Sequence, residues 1–256
     1  MHAPRPAVTD AQRAVKIVVL SDVHSNLPAL EAVLEAVEGE DASELWCLGD
    51  LVGYNADPEA CTTTMVELAD ICLAGNHDLV VNGTVDISVF AHDAAIAARW
   101  AQEVLSDDAL ASLRTLEPSG ERRDVELHHA SPRDPIWEYV IDQRTAQSCL
   151  EILRHDICLI GHSHVPLAYT RGGAGRAEGG YAEPGTLELE QGRWLLNPGS
   201  VGQPRDGDPR AAYMVLDLAA RTATWRRLEY DIERAQRAIV EAGLPNTLAW
   251  RLAEGR

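Results

Sequence analysis

Between residues 15 and 164, each short apolar run of this chain is closed by aspartate, asparagine or histidine. Val15 to Leu20 runs into Ser21-Asp22-Val23-His24, and Glu44-Leu45-Trp46-Cys47-Leu48 ends in Gly49-Asp50. Ile71-Cys72-Leu73-Ala74 ends in Gly75-Asn76-His77-Asp78. Val125 to His129 runs into Ala130-Ser131-Pro132, and Ile157-Cys158-Leu159-Ile160 into Gly161-His162-Ser163-His164. Short continuous apolar runs are the pattern of strands buried on both faces. If residues 162–164 are extended, His162 and His164, two apart, project to the same side.

Helical signals lie between the first strands. Asn26 can cap a helix with Pro28 in its first turn, Leu30, Val33, Leu34 and Val37 at helical spacing, and a stop at Gly39. Asp57-Pro58-Glu59 opens a second. The order β-α-β-α-β implies a parallel sheet covered by helices, and such sheets bind ligands beyond the carboxyl ends of their strands. Further helices are expected over Val85 to Leu105, Asp107 to Leu116 and Arg144 to Leu153. Beyond His164 a glycine-rich loop, Arg171 to Gly185, lies among short strand-like pieces: Leu167–Thr170, Thr186–Glu190, Trp194–Leu196, Ala212–Leu218 and Thr222–Arg227. Their spacing suggests antiparallel pairing. Asp231 to Ala242 and Asn246 to Ala253 form a C-terminal helical extension, 231–256, and residues 1–13 a flexible tail.

The chain has 256 residues, 46% of them hydrophobic, enough for one large domain spanning 1–256. A formal net charge of -18 argues against duplex nucleic acid as a partner. No apolar run reaches the roughly 20 residues of a membrane span, and Met1 to Pro6 opens no secretory signal. The five cysteines, Cys47, Cys61, Cys72, Cys149 and Cys158, show no CxxC spacing. Buried free thiols in a reducing cytoplasm are the expectation.

The strand-end set is Asp22, His24, Asp50, Asn76, His77, His129, His162 and His164. Carboxylate, amide oxygen and imidazole without thiolate suit Mn, Fe, Ni or Zn. The count exceeds one four-coordinate zinc, and two metals sharing a carboxylate explain it. His2, His92, His128 and His155 match none of these blocks and read as surface or structural residues.

Asp22-x-His24, Gly49-Asp50, Gly75-Asn76-His77-Asp78, His129 and Gly161-His162-x-His164, in that order, resemble the calcineurin-like metallophosphoesterases. Asn197-Pro198-Gly199-Ser200 resembles a later turn of the small bacterial and archaeal members. The resemblance implies a four-layer α-β-β-α sandwich with mixed sheets and two divalent metal ions. It implies that Asp22, His24 and His164 bind the first ion and that Asn76, His129 and His162 bind the second. Asp50 would bridge both, and His77 would stand beside the substrate as the catalytic histidine. His129 is preferred to His128 because it precedes a small residue and Ser-Pro, although Ala130 replaces the commoner glycine.

The implied reaction is hydrolysis of a small phosphoester, with nucleotides among the candidate substrates and phosphodiesters favoured. A hydroxide bridging the two ions would attack phosphorus in line, and His77 would stabilise or protonate the leaving oxygen. The alternatives are a phosphomonoesterase, a dinucleoside polyphosphate hydrolase, or a non-catalytic metal-binding scaffold. Gly49-Asp50-Leu51-Val52-Gly53-Tyr54 lacks the aspartate that orients the catalytic histidine in the protein serine/threonine phosphatases, which argues for the small phosphodiesterase branch. Asp78 is a candidate to orient His77 instead. Arg133, Trp137 and Tyr139 follow His129 closely, and Arg205 and Arg210 sit in a Gly/Pro-rich loop. Each can reach a substrate or simply face solvent. The oligomeric state is left open by the sequence.

Overall fold

The computed structural model describes residues 15–173 and 175–256; the expected N-terminal tail lies outside them. The elements in order are β1 (Lys16–Leu20), α1 (Leu27–Val37), β2 (Glu44–Cys47), α2 (Pro58–Leu68), β3 (Ile71–Cys72), α3 (Asn76–Val81), α4 (His92–Val104), α5 (Asp107–Leu113), β4 (Ser119–Arg122) and β5 (Val125–His128). There follow α6 (Gln143–Ile152), β6 (Ile157–Leu159), β7 (Leu167–Arg171), β8 (Glu178–Tyr181), β9 (Gly185–Glu188), β10 (Arg193–Asn197), β11 (Ala211–Asp217), β12 (Thr222–Leu228), α7 (Ile232–Glu241) and α8 (Asn246–Glu254).

Two six-stranded sheets, ordered β3-β2-β1-β11-β12-β9 and β4-β5-β6-β10-β7-β8, face each other. Both are mixed. β1 pairs parallel with β2 and antiparallel with β11, and β10 pairs parallel with β6 and antiparallel with β7.

Alternation along the strands builds the layers. Ile17, Val19, Trp46 and Met214 of the first sheet meet Leu127, Ile157, Leu159 and Leu196 of the second. The opposite face of the first sheet, with Val18, Leu20 and Tyr213, packs on Val33 of α1, Met65 of α2 and Ala101 of α4. The outer face of the second sheet, with Cys158 and Leu195, is covered by Ala146, Cys149 and Leu150 of α6. The result is the α-β-β-α sandwich. Asn26 caps α1 by accepting the Ala29 N–H at 3.2 Å. α7 and α8 pack through Ile239, Leu248 and Leu252 in a cluster that also takes in Ala97 of α4 and Tyr54. Among the described residues, no helix is long and apolar enough to cross a membrane.

Several expectations need correction. The strand before Gly75 is only two residues long, and Asn76 opens a helix. The helix expected from Val85 breaks: a 3-10 turn at Ile87–Val89 is followed by extended backbone at Phe90 and Ala91 before α4 begins. Polar β4 carried no apolar signal, yet it pairs antiparallel with β5 through a turn at Arg123 and Asp124, both with positive φ (55° and 59°). The glycine-rich loop contains β8, on the sheet edge, where backbone pairing with β7 needs no apolar face.

Trp46 is fully buried between the sheets, and its Nε1 donates to Glu44 at 2.8 Å. Glu44 also accepts from Arg122 of β4 at 2.5 Å, which ties the first sheet to the second. Trp46→Ala should therefore lower unfolding free energy by about 3–5 kcal/mol, the cost of removing a buried aromatic. Urea denaturation checks this; a loss below about 1 kcal/mol would mean that the layers close without this ring.

Candidate metal and active site

β1, β2 and β3 run parallel, as do β5, β6 and β10, so their carboxyl ends gather at one end of the sandwich. The loops beyond them are stitched by backbone bonds. Asp22 N–H donates to the Gly49 carbonyl at 3.0 Å, His24 N–H to Asp50 at 2.9 Å, Gly161 N–H to His129 at 2.7 Å and Gly202 N–H to Asp22 at 2.9 Å.

Candidate ligand atoms of Asp22, His24, Asp50 and His164 lie within 4.8 Å of one another, as do those of Asp50, His129 and His162. Asp50 belongs to both groups. Asn76 Oδ1 adjoins the second, 3.1 Å from His129 Nε2. His162 and His164 therefore part company. Both have left-handed backbone (φ 63° and 59°), so the segment is not extended and the side chains go to different groups. Asp22, His24 and Asp50 are left-handed as well (φ 55°, 48° and 56°). Aspartate and histidine tolerate this conformation better than most residues, and its clustering here marks strain held for a purpose.

The hydrogen bonds fix which nitrogens face inward. His24 Nδ1 meets the Val52 carbonyl at 3.0 Å, His129 Nδ1 that of Leu48 at 2.9 Å and His164 Nδ1 that of Gln203 at 2.6 Å. A carbonyl only accepts, so each Nδ1 carries the proton and each Nε2 presents a lone pair. His24 Nε2 and His164 Nε2 are 3.0 Å apart, lone pair to lone pair. Asp50 Oδ2 is 3.4 Å from His24 Nε2 and 3.5 Å from His129 Nε2. Asp22 Oδ2, Asp50 Oδ2 and His162 Nε2 are buried without a hydrogen-bond partner. Acceptors packed against acceptors repel unless a cation lies between them, so these residues fit a metal centre.

Burial dominates the titration of the site. It pushes Asp22 up to about 7, against the pull of His129, and Asp50 well above the usual carboxylate range. It holds His24 and His164 well below the ordinary imidazole value and lowers His162 to about 2. The imidazoles are thus neutral and ready to ligate.

His77 lines a cavity of about 210 Å³ together with Asp50, Asn76, His162 and His164. Wider clefts of about 610 and 640 Å³ open elsewhere, bordered by no such cluster. Among the described residues, Asp78 makes no hydrogen bond to the His77 ring. Its buried carboxylate accepts the N–H groups of Asp50 (2.8 Å), Leu51 (2.9 Å), Val52 (3.1 Å) and Gly75 (2.8 Å), and so shapes the Asp50 loop. His77 is held by rings, with centroids of Phe90 and Tyr54 both 4.4 Å away. Two glycines make room: a Cβ at Gly53 would fall 2.3 Å from His77 Nδ1, and one at Gly75 would fall 1.9 Å from Asp50 Oδ1.

The remaining candidates separate clearly. Trp137, Tyr139 and Arg205 line the cavity, and Tyr139 stacks on His162 at 4.1 Å. Arg133 pairs with Glu138 and Arg210 with Asp208. His128 lies beside Glu126, His155 pairs with Glu121 and His92 with Asp93. The Asn197–Ser200 segment is more than a turn. Asn197 Nδ2 donates to the Gly161 carbonyl at 2.7 Å and Ser200 Oγ to that of Asp22 at 2.8 Å, which binds both ligand loops. Tyr54 and Phe90 were missed as site residues. Gly53 beside Tyr54 was the available signal, whereas Phe90 sat inside an expected helix.

Fold and site together define a metal-binding hydrolase of phosphoesters. The sequence pattern of the calcineurin-like phosphoesterase superfamily domain matches residues 15–221. An uncharacterized protein of Methanocaldococcus jannaschii is 36% identical over 254 residues, 94% of this chain and 98% of that protein. Phosphodiesterase YfcE of Escherichia coli is 28% identical over 213 residues, 79% and 88% of the two chains. The crystal structure of a metallophosphoesterase from Sphaerobacter thermophilus superposes with a TM-score of 0.85 at 37% identity, over 95% of this chain and 100% of the other. The chain belongs to the calcineurin-like phosphoesterase superfamily.

Metal entry must expel protons from the buried carboxylates. Asp22, pushed up to about 7, is mostly protonated at pH 6 and mostly ionised at pH 8. Calorimetric titration with Mn(II) in buffers of different ionisation heat should show more proton release at pH 6 than at pH 8, by up to about one proton. Apparent affinity should fall as pH drops below 7. Equal release at both pH values would contradict this.

Proposed function

We propose that this chain hydrolyses small phosphoesters, phosphodiesters before monoesters, at two divalent ions that share Asp50. The observation that carries the reading is Asp50 Oδ2, unpaired and almost equidistant from His24 Nε2 and His129 Nε2. On this reading Asp22, His24 and His164 hold one ion and Asn76, His129 and His162 the other. Oxygen and imidazole donors without thiolate suit Mn, Fe, Ni or Zn. Two such ions, when bound, would supply Lewis acidity toward phosphate oxygens and toward a nucleophilic water.

The protein supplies position and proton transfer. Asp50 is held by the His77 N–H on Oδ1 at 2.8 Å, which leaves Oδ2 free to face both ligand groups. His77 is neutral at rest, because burial and then the Arg205 charge keep its pKa well below the ordinary value. The negative charge of a bound phosphoester favours the protonated form of His77, so on this reading the ring takes up a proton from water as substrate binds and passes it to the leaving oxygen. At the mouth, the part-exposed rings of Trp137 and Tyr139 offer a face to a nucleobase or aryl group. The charge of -18 disfavours long polyanions, so the substrate is small. The name of the matched phosphodiesterase from Escherichia coli supports the diester preference. We read the chain as one domain working in the cytoplasm, where its five free cysteines stay reduced.

His77→Ala should keep the full metal complement and lose roughly 10²–10⁴ in kcat, the span of a positioned acid or base. The loss should be smaller for a nitrophenyl diester, whose leaving group needs little protonation, and larger for nucleoside or alkyl leaving groups. Equal losses would reject proton transfer by His77. Faster turnover of nitrophenyl phosphate than of the matching diester would reverse the proposed preference. Wild-type protein that holds metal yet hydrolyses neither would favour a scaffold.

A further inference from the structure

Arg205 stands out among the charged groups of the site. It lines the cavity with Asp50, His77 and His162. Its Nη2 donates to two neutral acceptors, Tyr54 Oη at 3.1 Å and Gln203 Oε1 at 2.9 Å. Its Nε is buried and has no partner. The neighbouring loop carboxylates are taken: Asp208 pairs with Arg210, and Asp206 with the buried Arg227. Among the described residues, no carboxylate lies within ion-pair distance of Arg205.

The guanidinium is also held in place. Arg205 N–H donates to the His164 carbonyl at 3.2 Å, and His164 Nδ1 donates to Gln203 two residues earlier, so one loop fixes both a ligand imidazole and this cation. Arg205 and Arg251 of α8 lie 5.5 and 5.9 Å from the Tyr54 ring centroid. Gly207 N–H donates to the Gly255 carbonyl at 3.0 Å, which ties the loop to the end of the C-terminal helical pair.

A confined guanidinium with a free N–H, beside a site that gathers cations, is unfavourable until an anion arrives. Two divalent ions balanced by Asp22 and Asp50 would leave two positive charges, and Arg205 adds a third. Its planar fork matches phosphate oxygens. We propose that Arg205 clamps a non-bridging oxygen of the substrate phosphoryl group and that Tyr54 is the positioning residue that sets its angle. This rests on the phosphoesterase reading, and it places the C-terminal helices behind the phosphate subsite, where Arg251 backs Tyr54 and Gly255 holds the Arg205 loop.

The test uses metal-loaded wild type, Arg205→Met, Arg205→Lys, Tyr54→Phe and the Arg205→Met/Tyr54→Phe double variant. Calorimetry with inorganic phosphate gives binding, elemental analysis gives metal content, and bis(nitrophenyl) phosphate gives turnover. Arg205→Met should keep its metals and lose about 10- to 100-fold in phosphate affinity, as for one charge-assisted hydrogen bond. It should also lose kcat/KM, while Arg205→Lys recovers part of both. Tyr54→Phe should weaken phosphate binding severalfold alone and add nothing in the Arg205→Met background. Phosphate affinity within twofold of wild type in fully metallated Arg205→Met would overturn the proposal, as would additive effects in the double variant for the role of Tyr54. Wild type that binds phosphate through Arg205 but turns over no ester would sink the phosphoesterase reading and leave the clamp standing.

Discussion

Lone pairs that face one another in a dry interior are the constraint on which the head of this structure depends. His24 Nε2 and His164 Nε2 meet at 3.0 Å, and the free oxygen of Asp50 lies against the lone pairs of His24 and one further imidazole, His129. Without cations that packing is repulsive, and burial opposes ionisation of the carboxylates. The remainder of the fold resists the repulsion. Carbonyls of Val52, Leu48 and Gln203 lock three ring orientations, and the closely packed sheets leave the loops nowhere to relax. Left-handed backbone at five of the candidate ligand positions adds strain of about 1–3 kcal/mol each, tolerated only where surrounding structure fixes it.

The same economy explains the second rank of polar groups. Asp78 gathers four backbone N–H groups and thereby sets the loop that presents Asp50. Burial raises Asp78 to about 6 against the pull of those donors, so near pH 7 it still works mainly as a carboxylate. Asn197 and Ser200 bind the two ligand loops that come from different sheets. His77, by contrast, is wedged between Tyr54 and Phe90, and its Nδ1 is buried with no hydrogen-bond partner among the described residues. Burial and the Arg205 charge keep its pKa well below the ordinary imidazole value.

Much of this was legible because burial on both faces gives parallel strands an unmistakable apolar run, and because ligand residues sit at strand ends. β1, β5, β6 and the placing of Asp22 and Asp50 in one cluster follow from that alone, whereas His129 was singled out from His128 by the family resemblance. What the pattern could not reveal depends on three-dimensional return. The divergence of His162 and His164 arises from two left-handed residues, which an alternation argument does not foresee. Asp78 adjoins His77 in sequence, yet its partners lie some 27 residues away. Phe90 looked helical because its apolar neighbours fit a helical period, whereas its ring is drawn to His77 and the helix starts only at His92. Arg205 and Arg210 looked alike on one loop, and only the position of Asp208 tells them apart. β4 and β8 hold the sheet edges by backbone pairing, which leaves no apolar imprint.

The central claim is that one carboxylate, Asp50, joins two metal ions into a single centre. Electron paramagnetic resonance of the chain reconstituted with two equivalents of Mn(II) tests it most directly. A shared Asp50 predicts an exchange-coupled signal that grows in with the second equivalent as the isolated-ion signal disappears. Two uncoupled mononuclear signals that simply add with metal would contradict the account.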